Sequence, residues 1–161
     1  MVSGYFFNHD PDNEPLAPLL GHDVKSDSTS WMQGAGGIVS SMQDVARWAR
    51  ALYEGPLLAD KQRGELMTVV SDKTGKSIAG PSREDPSAFG LGVGAGFRPM
   101  LGAYWYYQGM TLGCRVLYGY FPRNGAVIVL GLNSQPDDKQ NQNGALLEEV
   151  YGLLQKAGKL D

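Results

Sequence analysis

The residue types that carry covalent or metal chemistry are few and scattered in this chain. Cys114 is the only cysteine among 161 residues, which excludes an internal disulfide and a cysteine cluster for zinc or iron–sulfur. With no His or Asp flanking it, it reads as a small buried hydrophobe. His9 and His22 are each followed by a carboxylate, Asp10 and Asp23, but a metal centre needs several ligands at set spacing, which two isolated His-Asp pairs do not provide. No metal site is expected. The aromatic run Tyr104, Trp105, Tyr106, Tyr107 leads into Gln108, Gly109, Met110 and Thr111, with Arg115 close behind. Tyr107 can donate a hydrogen bond and is neutral at pH 7, and Thr111 and Arg115 can contact a ligand. Taken alone, the same residues fit a strand whose aromatics alternate between core and surface, with Gly109 as a bulge or turn and Arg115 as a solvated charge.

Composition narrows the setting. A chain of 161 residues with 42% hydrophobic content has enough apolar side chains for one core, so one domain or a large piece of one is expected. The net charge of −3, with no basic run, gives no electrostatic reason to bind nucleic acid or an anionic membrane. The longest apolar stretch, Ala126 to Leu132, falls far short of the roughly 20 residues that cross a bilayer. The first ten residues lack the basic start and apolar core of a secretory signal, which leaves the compartment open.

The elements that would position these groups follow from periodicity. Residues 8 to 36 are rich in Asp, Asn, Pro, Ser and Gly without a helical or alternating pattern, and read as a long surface segment. Ser41 followed by Asp44 is a capped helix start; Val45, Trp48, Ala49 and Leu52 recur at helical spacing until Gly55-Pro56. A second helix is expected from about Ala59 to Val70, with Leu66, Met67 and Val70 on one side and Gly64 weakening it by about 1 kcal/mol. Residues 71 to 88 are polar again. Tyr104 to Gln108, Arg115 to Phe121 and Ala126 to Leu132 have the length and residue types of strands, and Asn124-Gly125 marks a hairpin between the last two. After a polar stretch from Asn133 to Asn143, the segment from Ala145 to Leu154 carries an apolar helical face that would lie on the sheet. The expected class is α+β, with three or four antiparallel strands and flanking helices.

One ordered set of segments carries a resemblance: Gly4-Tyr5, the run from Ala35 through Trp48, Phe89-Gly90-Leu91-Gly92, Gly109 with Gly113, and Pro122 through Asn133-Ser134. Together they resemble the C-terminal half of the serine β-lactamase-like hydrolases, the branch of class C β-lactamases, D-alanyl-D-alanine carboxypeptidases and esterases. That resemblance implies part of the β-lactamase and penicillin-binding-protein transpeptidase-like fold, acyl-transfer chemistry and no cofactor. It also implies a periplasmic or secreted setting. In the family a Ser in a Ser-x-x-Lys turn attacks the substrate carbonyl, assisted by a Tyr or Ser two residues before an Asn. No serine of this chain has Lys at the third position, and no Tyr or Ser has Asn two residues on. Those boxes belong to the family's N-terminal half, so residues 1–161 are expected to form a C-terminal segment with no catalytic residue of its own.

The resemblance aligns Tyr107-Gln108-Gly109 with the family's third box, a Lys- or His-x-Gly beside the active site. Tyr107 stands where a basic residue is usual, which favours an ester or unusual peptide as much as a substrate bearing a carboxylate. Gly109 would let a substrate backbone approach, and the Met110 N–H takes the position of the second oxyanion-hole donor; Thr111 lies beside it. The expected substrate and oxyanion side is therefore Tyr107, Gln108, Gly109, Met110 and Thr111. Two functions stand: the C-terminal part of a serine acyl-hydrolase that acts only with its missing N-terminal half, or a non-catalytic binding or assembly module on the same fold. Either way an exposed sheet edge is expected, and with it self-association.

Overall fold

Helix α1, Met42–Tyr53, begins where the sequence places it: the Ser41 Oγ accepts from the Asp44 backbone N–H at 3.1 Å and donates to the Asp44 carboxylate at 2.7 Å. It ends before Gly55, and its buried line of Ala49, Leu52 and Tyr53 faces the sheet. The structure, a computed structural model, describes residues 2–28, 30–137 and 142–160. Part of the expected polar stretch from Asn133 to Asn143 (residues 138–141), and residue 29 of the long surface segment, lie outside the described residues.

Strands in chain order are β1 Tyr5–Phe7, β2 Val69–Ser71, β3 Ser77–Ile78, β4 Ser87–Phe89, β5 Gly94–Arg98, β6 Gly102–Thr111, β7 Cys114–Phe121, β8 Ala126–Leu132 and β9 Ser134–Pro136. Seven of them form one antiparallel sheet in the order β3-β2-β4-β5-β6-β7-β8, while β1 pairs in parallel with β9. The α+β class holds, with more strands than the three or four expected. The additional strands are two to five residues long, too short for alternation to register. Gly94 and Gly96 of β5 lie under the rings of Tyr106 and Tyr104, which occupy the space a Cβ would need. An element with so little side chain of its own is held by its neighbour's aromatics.

Two cores sandwich the sheet. On one face α1 and the segment after it bury Ala49, Leu52 and Tyr53 against Val93, Tyr118 and Tyr120. On the other, helix α3, Asn143–Lys156, buries Leu147 and Tyr151 against Leu117, Phe121 and Ile128. Each fully buried aliphatic or aromatic side chain here contributes about 2 kcal/mol.

Three expectations are corrected. The second helix, α2, spans only Asp60–Leu66, and Val69–Ser71 is a strand in which Val70 is exposed: β-branched Thr68, Val69 and Val70 favour the pleated sheet once β4 offers a ladder. Gly109 is neither bulge nor turn, because it sits in register opposite Val116. The turn is made four residues later, where Gly113 adopts φ +69. The surface segment is less irregular than its composition suggests: Pro11–Leu19 and Ser30–Ala35 are 3₁₀ turns.

Candidate functional site

Strand β6 is paired on both sides for only part of its length. Strand β5 covers Gly102 to Tyr106, whereas β7 runs alongside from Trp105 to Thr111. From Tyr107 to Thr111 one edge of β6 therefore has no partner strand among the described residues. Backbone groups alternate in direction along an antiparallel strand. The Phe97 N–H is given to Pro86 of the β4 side at 2.9 Å, so Gly94, Gly96 and Arg98 turn toward β6 and receive Tyr106, Tyr104 and Gly102. By the same alternation Gln108 and Met110 direct their backbone N–H and C=O to the open edge, while Tyr107, Gly109 and Thr111 bond to β7.

The side chains of these residues divide between the two faces. Tyr107, Gly109 and Thr111 share the α1 face. There Tyr107 stands opposite Tyr118 and is 47% exposed. The Thr111 hydroxyl donates to the Met32 sulfur at 3.2 Å, bringing the 30–35 turn against the end of β6. That turn contains Gln33 at φ 44, the positive-φ non-glycine residue of the described chain, a strained conformation of the kind that concentrates at ligand sites. Gln108 lies on the α3 face, in a pocket of about 240 Å³ with Arg98, Tyr106 and Asn143. Burial raises the Tyr106 phenol above its ordinary value. Met110 is exposed. The structure thus brings the five expected residues to one open edge without gathering their side chains into one cluster.

Gly109 is informative because packing does not demand it. A Cβ there would meet only Val116 Cγ1, at 3.5 Å, an ordinary contact. Gly113 is the opposite case: a Cβ would lie 2.6 Å from the Gly4 carbonyl carbon and 2.7 Å from the Tyr5 nitrogen. Gly113 docks the β6–β7 turn onto the start of β1 and so fixes where β6 ends.

Other candidates take structural roles. Arg115 is not a solvated charge: its Nε donates to the Ser134 carbonyl and its Nη1 to Asn143 Oδ1, each at 2.9 Å. It ties β7 to β9 and to the start of α3. His9 does not pair with Asp10; its Nδ1 lies 3.2 Å from Asp137, 128 residues away and beyond any local sequence signal. Cys114 is half-buried, and burial pushes its thiol up. No group of His, Cys, Asp and Glu suited to a metal occurs among the described residues, and no described helix is long and apolar enough to cross a membrane.

Chemically, the open edge can receive an extended, carbonyl-bearing ligand through the Gln108 and Met110 backbone. Among the described residues no Ser, Thr or Cys side chain is hydrogen-bonded to a His or Lys side chain, the arrangement that activates a nucleophile. The sequence expectation names the five residues of this edge but not Met32 and Gln33, whose place beside Thr111 depends on the path of an aperiodic segment.

Compared with known proteins, the chain matches the Beta-lactamase family model over residues 5–151. No curated protein and no solved structure matches it.

Proposed function

The chain belongs to the Beta-lactamase family, and from that premise we propose that it supplies the substrate side of a serine acyl-hydrolase, completed by a segment bearing the Ser-x-x-Lys and Tyr-x-Asn boxes. The observation that carries the reading is the open edge of β6, where the Met110 N–H points outward beside a glycine that packing does not require. In this reading the Met110 N–H stabilises the oxyanion as the acyl carbonyl becomes tetrahedral. Gly109 admits the substrate backbone, and the Gln108 backbone aligns it as an added strand.

Tyr107 offers a neutral hydroxyl where the family pattern has a cation, so the preferred substrates are esters or amides that do not depend on a carboxylate for binding. The nucleophile and its base come from the completing segment, and the chain alone turns over nothing. The test compares Met110→Pro with Met110→Ala in a chain that includes that segment, on an ester substrate. Proline removes the outward N–H without breaking a ladder bond. It should lower kcat by about 100- to 1,000-fold, the usual loss for one oxyanion donor, while alanine leaves kcat near its starting value. Equal rates for the two variants would remove Met110 from the mechanism.

A further inference from the structure

The cavity of about 240 Å³ on the α3 face is built by three elements. Tyr104, Tyr106 and Gln108 enter it from β6, Arg98 from the end of β5, and Asn143 and Gly144 from the first turn of α3. Contacts within the described chain fix these walls. Arg98 donates from Nη1 to the Glu148 carboxylate at 3.2 Å, and its Nη2 occupies the space a Cβ on Gly144 would need. Asn143 is buried and accepts from Arg115 at 2.9 Å. Tyr106 lies face-down on Gly94, since a Cβ there would meet its Cζ, Cε1 and Cε2 at 2.7, 2.8 and 3.1 Å. The ring is half-buried, so its other face is the one left to the cavity.

This lining differs from unfilled core. A surface shaped to receive a missing piece of a hydrophobic core is apolar, whereas here the walls carry a guanidinium, two phenols and two carboxamides. Nor does the charge favour an ion. Arg98 is already matched by Glu148, so an anion would meet a carboxylate and a cation would meet the guanidinium. The groups that remain suit a neutral ligand that donates and accepts together: the exposed Gln108 carboxamide does both, as do the phenols. The volume is below the roughly 300 to 1,000 Å³ of pockets for drug-sized ligands, which leaves room for one ring.

We propose that this cavity binds a neutral polyhydroxylated ring, a single sugar residue, with its C–H face on Tyr106 and its hydroxyls on Gln108 and Arg98. An aromatic face covers the apolar side of such a ring while the polar groups around it meet the edge. Strand β6 then has two uses: the Gln108 backbone borders the open edge, and its side chain holds the sugar. The site needs no nucleophile and stands apart from any acyl transfer.

Titration of the 161-residue chain with the methyl glycosides of glucose, galactose and N-acetylglucosamine, followed by amide NMR, tests this. At least one glycoside should give saturable shifts at the Gln108 side-chain amide and the Gly144 N–H, with half-saturation on the order of 1 mM. Saturation-transfer difference spectra should show the ring protons of that glycoside in contact with an aromatic side chain. Gln108→Ala should weaken binding about fivefold, and Tyr106→Leu should abolish it. The shifts and the transfer are read on the unaltered chain, so the test stands even where Tyr106→Leu folds poorly. No shift with any glycoside, shifts at these groups with inorganic phosphate instead, or loss of the shifts in a chain extended through the family's N-terminal half would each overturn the sugar site.

Discussion

Replacing Gly113 with alanine should destabilise the fold far more than the same change at Gly75, although the two backbones are almost alike. Gly113 has φ +69 and Gly75 has φ +67, so each alanine incurs the left-handed penalty of about 1 kcal/mol. At Gly75 nothing lies within 4 Å of the new methyl, and the Gly75 N–H bond to the Ser71 carbonyl, 2.8 Å, is kept. At Gly113 the methyl would lie 2.6 Å from the Gly4 carbonyl carbon and from Val24 Cγ2. Backbone on one side and a buried side chain on the other cannot swing away, so β1 must move off the turn. That overpacking adds about 2 kcal/mol, for a total of about 3 kcal/mol against about 1 at Gly75. For a chain of this size the melting temperature should fall by about 9 °C and about 3 °C respectively. Urea unfolding followed by tryptophan fluorescence, at one protein concentration so that association is held constant, measures both. Equal losses would mean that Gly113 is kept for its backbone angle alone and that β1 is not locked to the end of the candidate site.

Two further outcomes follow from single contacts. Ser41→Ala should cost about 1 kcal/mol through the lost helix cap. The Ser41 hydroxyl, and after it Arg47, holds the Asp44 carboxyl below its ordinary value, so Asp44 stabilises the fold above the usual carboxylate range and that contribution is lost as pH falls through the depressed value. An NMR titration should show the Asp44 pKa rising in the variant. At alkaline pH, burial and then the hydrogen bond to Glu54, 3.0 Å, push the Tyr120 phenol up to about 12. Its folded value lies above the unfolded value near 10, so its contribution is complete below about pH 10 and declines toward 12. Stability should therefore fall across that window, and Tyr120→Phe should flatten the fall measured by denaturant titration.

The helix capped by Ser41, the three long strands and the terminal helix were legible because each carries a local signal: a cap, a β-branched or aromatic run, an apolar stripe. Strands β2 to β5 were not, since Gly94, Ala95 and Gly96 become a strand only under Tyr104 and Tyr106. The site divides in the same way. Tyr107 to Thr111 could be named from the residues that resemble a family motif, but the open edge exists because β5 stops pairing at Tyr106, a property of register between distant segments. Arg115 shows the cost of reading locally: its partners Ser134 and Asn143 lie 19 and 28 residues on.

The central claim, that this chain is the substrate side of a serine acyl-hydrolase, is tested most directly by covalent labelling with a fluorescent fluorophosphonate and a fluorescent penicillin. The chain alone is compared with one extended to include the Ser-x-x-Lys and Tyr-x-Asn boxes. The account predicts that the longer chain is labelled by the fluorophosphonate at its serine and that the 161-residue chain is not. Labelling of the short chain, or of neither chain by either probe, would contradict it.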